Sequence, residues 1–99
     1  MECDSLPPQI EMPWFAKIET GIVEKEIFDR HVSDHVAYVK ELVAKGHQAR
    51  SGYWARRGGG MLIFAAESME QARAIVANDP LIKNGCVTYE LYEWCVVAE

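Results

Sequence analysis

The sequence predicts an α+β domain in which two helices cover one face of a four-stranded antiparallel sheet. Three stretches carry that reading. Residues 28–46 set Phe28, Val32, Val36, Val39, Leu42 and Val43 at steps of three and four, one stripe of an amphipathic helix. Residues 61–65 (MLIFA) form a short continuous apolar run, as in a strand buried at the centre of a sheet. Residues 87–97 alternate two sets of side chains, and both sets include large ones. A strand before the long helix and a capped helix after the apolar run complete the order β, α, β, β, α, β. This is the split βαβ, or ferredoxin-like, arrangement.

Each element follows from local pattern. Residues 1–11 contain Pro7 and Pro8 with little periodicity and read as an N-terminal extension, leaving residues 12–99 as the domain. The alternation in WFAKIET after Pro13 marks strand one, which Gly21 ends. Glu24, Lys25 and Glu26 open the first helix, and Ser33 with Asp34 offers a candidate break, since either side chain can cap a new segment. Gly46 directly after Lys45 supplies the left-handed stop. Residues 47–55 make a partial second strand, where Tyr53 and Trp54 bring β-propensity and Gly52 signals a bulge or a close approach. RRGGG at 56–60 then turns a hairpin into the apolar run. Ser68 with Gln71 has the capping-box form, and Ala72, Ile75 and Val76 face inward until Pro80 ends the second helix near Asn78.

At 99 residues there is room for one lean core, so covering a bare sheet face with a second copy is a ready source of stability. A homodimer is expected. The formal net charge of −5 argues against nucleic acid, which is bound by clustered Lys and Arg. Cys3, Cys86 and Cys95 lack a C-x-x-C spacing and read as free thiols in a reducing cytosol. No apolar run approaches the ~18 residues that span a bilayer, and the acidic start is unlike a signal peptide, so no membrane partner and a cytoplasmic location are expected.

The chemistry centres on one histidine. His35 lies on the apolar stripe of the first helix, and Asp79 sits in N-D-P where the second must stop. A carboxylate beside an imidazole orients the ring and makes a general acid and base near neutral pH. The plainer reading is a satisfied core histidine and a turn-forming aspartate. His31 and His35 have metal-ligand spacing, but without a second cluster no metal site and no cofactor are predicted. Arg50, Arg56 and Arg57 suit an anion, although Arg56 and Arg57 read first as a solvated hairpin edge. The glycines at 58–60 lead into a strand rather than a helix, which removes a phosphate cradle.

The run DHVAYVKELVAKG, followed by SGYW, a hairpin strand, a helix, NDPLIKNG and a last strand ending in YEW, resembles the YCII-related family of small dimeric α+β barrel proteins. The resemblance covers about residue 13 to the C-terminus. It implies that the histidine at the head of the helix and the aspartate of the D-P-x-x-x-x-G segment meet in one cleft, which falls on His35 and Asp79. Many members carry an Arg three residues before the histidine, where this chain has Val32, and a Gly-Pro where it has Gly52 and Tyr53. Those departures imply a flatter, less anionic ligand. The PWFAKIE opening and the GYWA segment are similar to members that eliminate chloride from a chlorinated hydroxyhydroquinone without a redox cofactor. That implies a lyase with His35 as acid and base, Asp79 as its partner, Trp54, Tyr53 and Trp14 as flat faces for a ring, and Arg50 for an anionic oxygen. Two rivals remain open: an isomerase similar to muconolactone isomerase, and a non-catalytic ligand-binding dimer.

Overall fold

The computed structural model describes residues 12–56 and 58–98. The order is β1 (Trp14–Gly21), α1 (Lys25–Ala44), β2 (Arg50–Tyr53), β3 (Gly59–Ala65), α2 (Met69–Ala77), α3 (Pro80–Lys83) and β4 (Val87–Trp94). All neighbours in the sheet are antiparallel, in the order β2-β3-β1-β4. The ferredoxin-like expectation therefore holds, with β1 at the centre paired to both β3 and β4. The proposed extension, residues 1–11, lies outside the described residues.

Helix α1 runs unbroken through Ser33 and Asp34, so the candidate break is absent. Tertiary packing of one face along a helix of 20 residues outweighs the local capping tendency of those two side chains. Its end is as the sequence implies: Gly46 takes φ 90°, its N–H donates to Val43 O, and the His47 N–H donates to Leu42 O. These two bonds make a Schellman stop that satisfies the last carbonyls. The inward stripe is narrower than the pattern suggests. Leu42 and His35 are buried with Tyr38 and Val39 beside the core, whereas Val36 and Val43 are about half exposed.

Strand two is shorter than residues 47–55, covering four residues at the sheet edge. Ser68 caps α2 by accepting from the Gln71 N–H, and the Gln71 side chain returns to the Glu67 N–H rather than to Ser68 itself. Pro80 does more than end that helix. It begins α3, a single turn with Asp79 as N-cap and Gly85, at φ 66°, as its left-handed stop. Proline at the first helical position needs no N–H partner and arrives with a helical φ.

The core lies between the sheet and the helices. Phe15, Leu42, Leu62, Phe64, Ala72, Ile75 and Val76 pack together, with the Phe15 and Phe64 rings stacked at 5.9 Å across the β1–β3 pair. Tyr38 ties α1 to α2 by donating to Ile75 O at 2.7 Å, and burial, with Asp79 and Glu41 nearby, pushes its hydroxyl up to about 12. A smaller cluster of Leu81, Cys86 and Val87 closes the α3 end. Cys86 is a free, buried thiol, whereas Cys95 is disulfide-bonded, so the free-thiol expectation fails there. No described helix is long and apolar enough to cross a membrane.

Candidate active site

Alternation along β1 sends Phe15, Lys17 and Glu19 to the same side, toward the helices. Phe15 joins the core, and Lys17 follows it inward until its ammonium has no contact with solvent. Burial of a cation is tolerated only where anions meet it. Two do: Lys17 Nζ stands 2.9 Å from Asp79 Oδ2 and 2.7 Å from Glu19 Oε1.

Asp79 reaches this point because α3 starts there. Its Oδ1 accepts from the Leu81 N–H at 3.0 Å, the N-cap bond of α3, which fixes the carboxylate. From the opposite side α1 delivers His35, whose Nδ1 lies 2.9 Å from Oδ1 and 3.0 Å from Oδ2. Burial raises the Asp79 pKa, but the hydrogen bond from His35 and the charge and hydrogen bond of Lys17 outweigh it and hold the carboxyl below its ordinary range. An ionised Asp79 carries no proton, so Nδ1 must donate, and the neutral ring keeps its lone pair on Nε2. Nε2 points to the sheet edge, 2.9 Å from Ser51 Oγ, which donates to it when the ring is neutral. Among the described residues no buried side-chain nitrogen or oxygen lacks a partner.

The arrangement is a line of four groups: an ammonium, a carboxylate, an imidazole and an edge hydroxyl. With the ring neutral, one cation faces two anions inside the fold, and a proton on the imidazole balances them. A ring held in one tautomer, with its basic nitrogen toward the edge, is equipped to take up and return a proton. His35 keeps only 8% of its surface exposed, so access comes from the Ser51 side. The structure thus brings His35 and Asp79 together, as the pairing of the two motifs implies.

The proposed substrate contacts divide between the two sides of the sheet. Ser51 and Tyr53 share the helix-side register of β2, and Tyr53 is exposed at 89%. Arg50 faces the other way and lines a hollow of about 480 Å³ with Trp14, Ile63 and Trp94. Alternation carries Trp54 to that outer side too, where a Cβ on Gly59 would stand 3.3 Å from its indole Nε1. A second concavity of about 580 Å³ lies between α1 and α2, lined by Tyr38, Glu41, His47, Gln71 and Pro80. Neither hollow is lined by His35 or Asp79. Among the described residues no group of three or more His, Cys, Asp or Glu stands ready for a metal ion, and His31 is half-buried one turn from His35.

Sequence reasoning missed Lys17, Glu19 and Ser51. The signal for the first two was present, because residues two and four beyond an inward Phe15 share its face. Ser51 carried none, since a serine before a glycine in a short edge strand looks like any solvent-facing position.

None of the curated proteins compared matches the chain. Among solved structures it is similar to 5-chloro-2-hydroxyhydroquinone dehydrochlorinase from Burkholderia phenoliruptrix, determined in complex with 2,5-dihydroxybenzoquinone. The TM-score is 0.67 at 23% identity, over 82% of this chain and 92% of that one. At that identity the likeness speaks for the fold alone. The profile of the YCII-related domain matches residues 15–95, from the first buried residue of β1 to just past β4. With that span the chain belongs to the YCII-related domain family.

Proposed function

We propose that this protein is a cofactor-free lyase that eliminates chloride from a chlorinated hydroxyhydroquinone, with His35 as general acid and base. The observation that carries the reading is the His35–Asp79 contact at 2.9 Å, with the opposite ring nitrogen aimed at an accessible edge. In the reaction Nε2 takes a phenolic proton and returns it to the ring carbon that bears chlorine. That carbon becomes tetrahedral. A second phenolic oxygen then loses its proton while chloride departs with the bonding pair, leaving a hydroxybenzoquinone. The balance is loss of one proton and one chloride, and the ring supplies the electrons itself. Ionised Asp79 holds the tautomer and stabilises the imidazolium between the two transfers.

Tyr53, beside Ser51 on the His35 side, is the stacking face assigned to the ring. Trp14, Trp54 and Arg50, across the sheet, take the second part of the proposal, a homodimer through the open face. Ile18, Tyr92 and Trp94 crowd there around the half-buried Trp14, with large exposed areas that a second copy would cover.

The test is turnover. A chlorinated hydroxyhydroquinone and a muconolactone are supplied separately while chloride and ultraviolet absorbance are followed. Chloride release that falls by about 10²–10⁴ in His35→Ala and strongly in Asp79→Asn supports the lyase. Absorbance change with the lactone alone selects the isomerase, and ring binding without turnover selects a binding protein.

A further inference from the structure

Ser51 is an exposed residue of the edge strand, yet its hydroxyl is engaged with the one lone pair the buried dyad leaves for chemistry. From Ser51 Oγ to His35 Nε2 is 2.9 Å, and from His35 Nδ1 to Asp79 Oδ1 is 2.9 Å. Hydroxyl, imidazole and ionised carboxylate stand in series, the base within reach of the nucleophile and itself oriented by a third group. That sequence of roles activates a serine wherever it occurs, whatever the fold. We propose that Ser51 is an activated nucleophile and that this site also hydrolyses esters with a phenol-like leaving group.

The proposal goes beyond the lyase, with which it shares His35 and Asp79. Ser51 Oγ passes its proton to Nε2 as it bonds to the ester carbonyl carbon, and the carbonyl π pair moves onto oxygen. Collapse of that adduct breaks the bond to the leaving oxygen, which collects the proton from Nε2 and departs as the phenol. Water then attacks the acyl-serine by the same route, giving its proton to Nε2, and Ser51 recovers one as the acid is released. Ester plus water becomes acid plus phenol.

The strand supplies donors for the oxyanion. The Trp54 N–H donates to Gly59 O at 2.9 Å, which fixes the hydrogen-bonding phase of the β2–β3 pair. By the antiparallel alternation the N–H groups of Ser51 and Tyr53 are then directed away from β3, along the sheet edge. A nucleophile's own N–H is a natural member of such a hole. The substrate class follows from what the site does not have. Ser51 is exposed on the edge strand and lines neither of the two hollows described above, so little binding energy is available to force out a strongly basic alkoxide. A phenolate leaves with less help.

The experiment treats the full chain with a fluorophosphonate, and separately with p-nitrophenyl acetate. One adduct is expected, mapped by peptide mass spectrometry to Ser51, together with release of p-nitrophenolate. Both are lost in Ser51→Ala, and His35→Gln slows labelling at least about 100-fold. On the wild type alone, labelling must fall with acidification as one imidazole takes up a proton. An unlabelled folded wild type, an adduct at another residue, or labelling indifferent to pH and to His35 overturns the proposal. Chloride release without Ser51 labelling removes this inference and leaves the lyase, whereas labelling without chloride release does the reverse.

Discussion

The two faces of this sheet each depart from the usual assignment of polar and apolar side chains, the inner one beside an ordinary apolar core. The face under the helices holds Lys17, Glu19, His35 and Asp79 at or near full burial, while the face with no helix carries Trp14, Ile18, Tyr92 and Trp94. β1 contributes to both, because its alternation puts Phe15, Lys17 and Glu19 on one side and Trp14, Ala16 and Ile18 on the other. Isolated charges do not persist inside a core, and large aromatic patches on a monomer's surface are uncommon. Each face therefore points to something other than stability: the inner one to proton chemistry, the outer one to a partner.

The inner face is the more fragile. Lys17 neutralises two buried carboxylates, so Lys17→Met leaves both uncompensated, and a broken buried pair costs about 3–5 kcal/mol. Urea unfolding should show that loss, and adding Glu19→Gln should return part of it by removing one stranded charge. A Lys17→Met variant as stable as the wild type would mean the charges are not buried as described.

The same cluster sets the acid limit. The Asp79 pKa lies below its ordinary 3.8 in the folded chain, so the group's stabilisation is fully present above that value. It is lost as pH falls from there through the lower folded pKa. Acid titration of stability should show this component in the wild type and lack it in Asp79→Asn, while the neutral-pH baseline of the variant is lower throughout.

On the outer face the expected effect is on assembly. Trp94 pairs with Trp14 across the β1–β4 edge, and Trp94→Glu puts a charge into the proposed interface. An aromatic of this kind at an interface centre is worth about 2 kcal/mol or more, so the dimer's Kd should rise at least about thirtyfold. Light scattering at graded concentrations measures it. Unfolding of the subunit itself should change little, and a monomeric wild type would remove the partner from the comparison.

How much of this was legible in the sequence differs between the faces. The Gly46 stop, the Ser68 cap and the order of helices and strands come from short-range rules of period and capping and appear where those rules put them, while the helical stripe is narrower than its spacing implies. Pairing His35 with Asp79 took the family resemblance, because the contact spans 44 residues and no periodicity reports it. Lys17 was visible in the alternation but hidden by habit, since a lysine in a strand reads as solvent-facing. Pro80 misled in the other direction: proline ends one helix and is equally suited to begin the next. Val36 and Val43 fit the apolar stripe by spacing yet lie at its margin, since the shallow core beneath α1 accepts only the middle of it.

The smallest effect sharpens the comparison most, because distance is held constant. Lys45 Nζ lies 2.9 Å from Glu41 Oε1, the same separation as Lys17 from Asp79, but both partners are more than half exposed. In water the attraction is screened and is offset by the entropy of holding two long side chains. The order is the favourable one, with Glu four residues before Lys, and the cation sits at the helix C-terminus, yet the pair is still worth only about 0.5 kcal/mol. Lys45→Ala should therefore shift the urea midpoint slightly, and about 1 M salt should erase even that shift. Lys17→Met should keep nearly its whole cost in the same salt, since ions do not reach a fully buried ammonium. If the two substitutions lost comparable stability, or responded alike to salt, burial would not be the variable that separates the two faces.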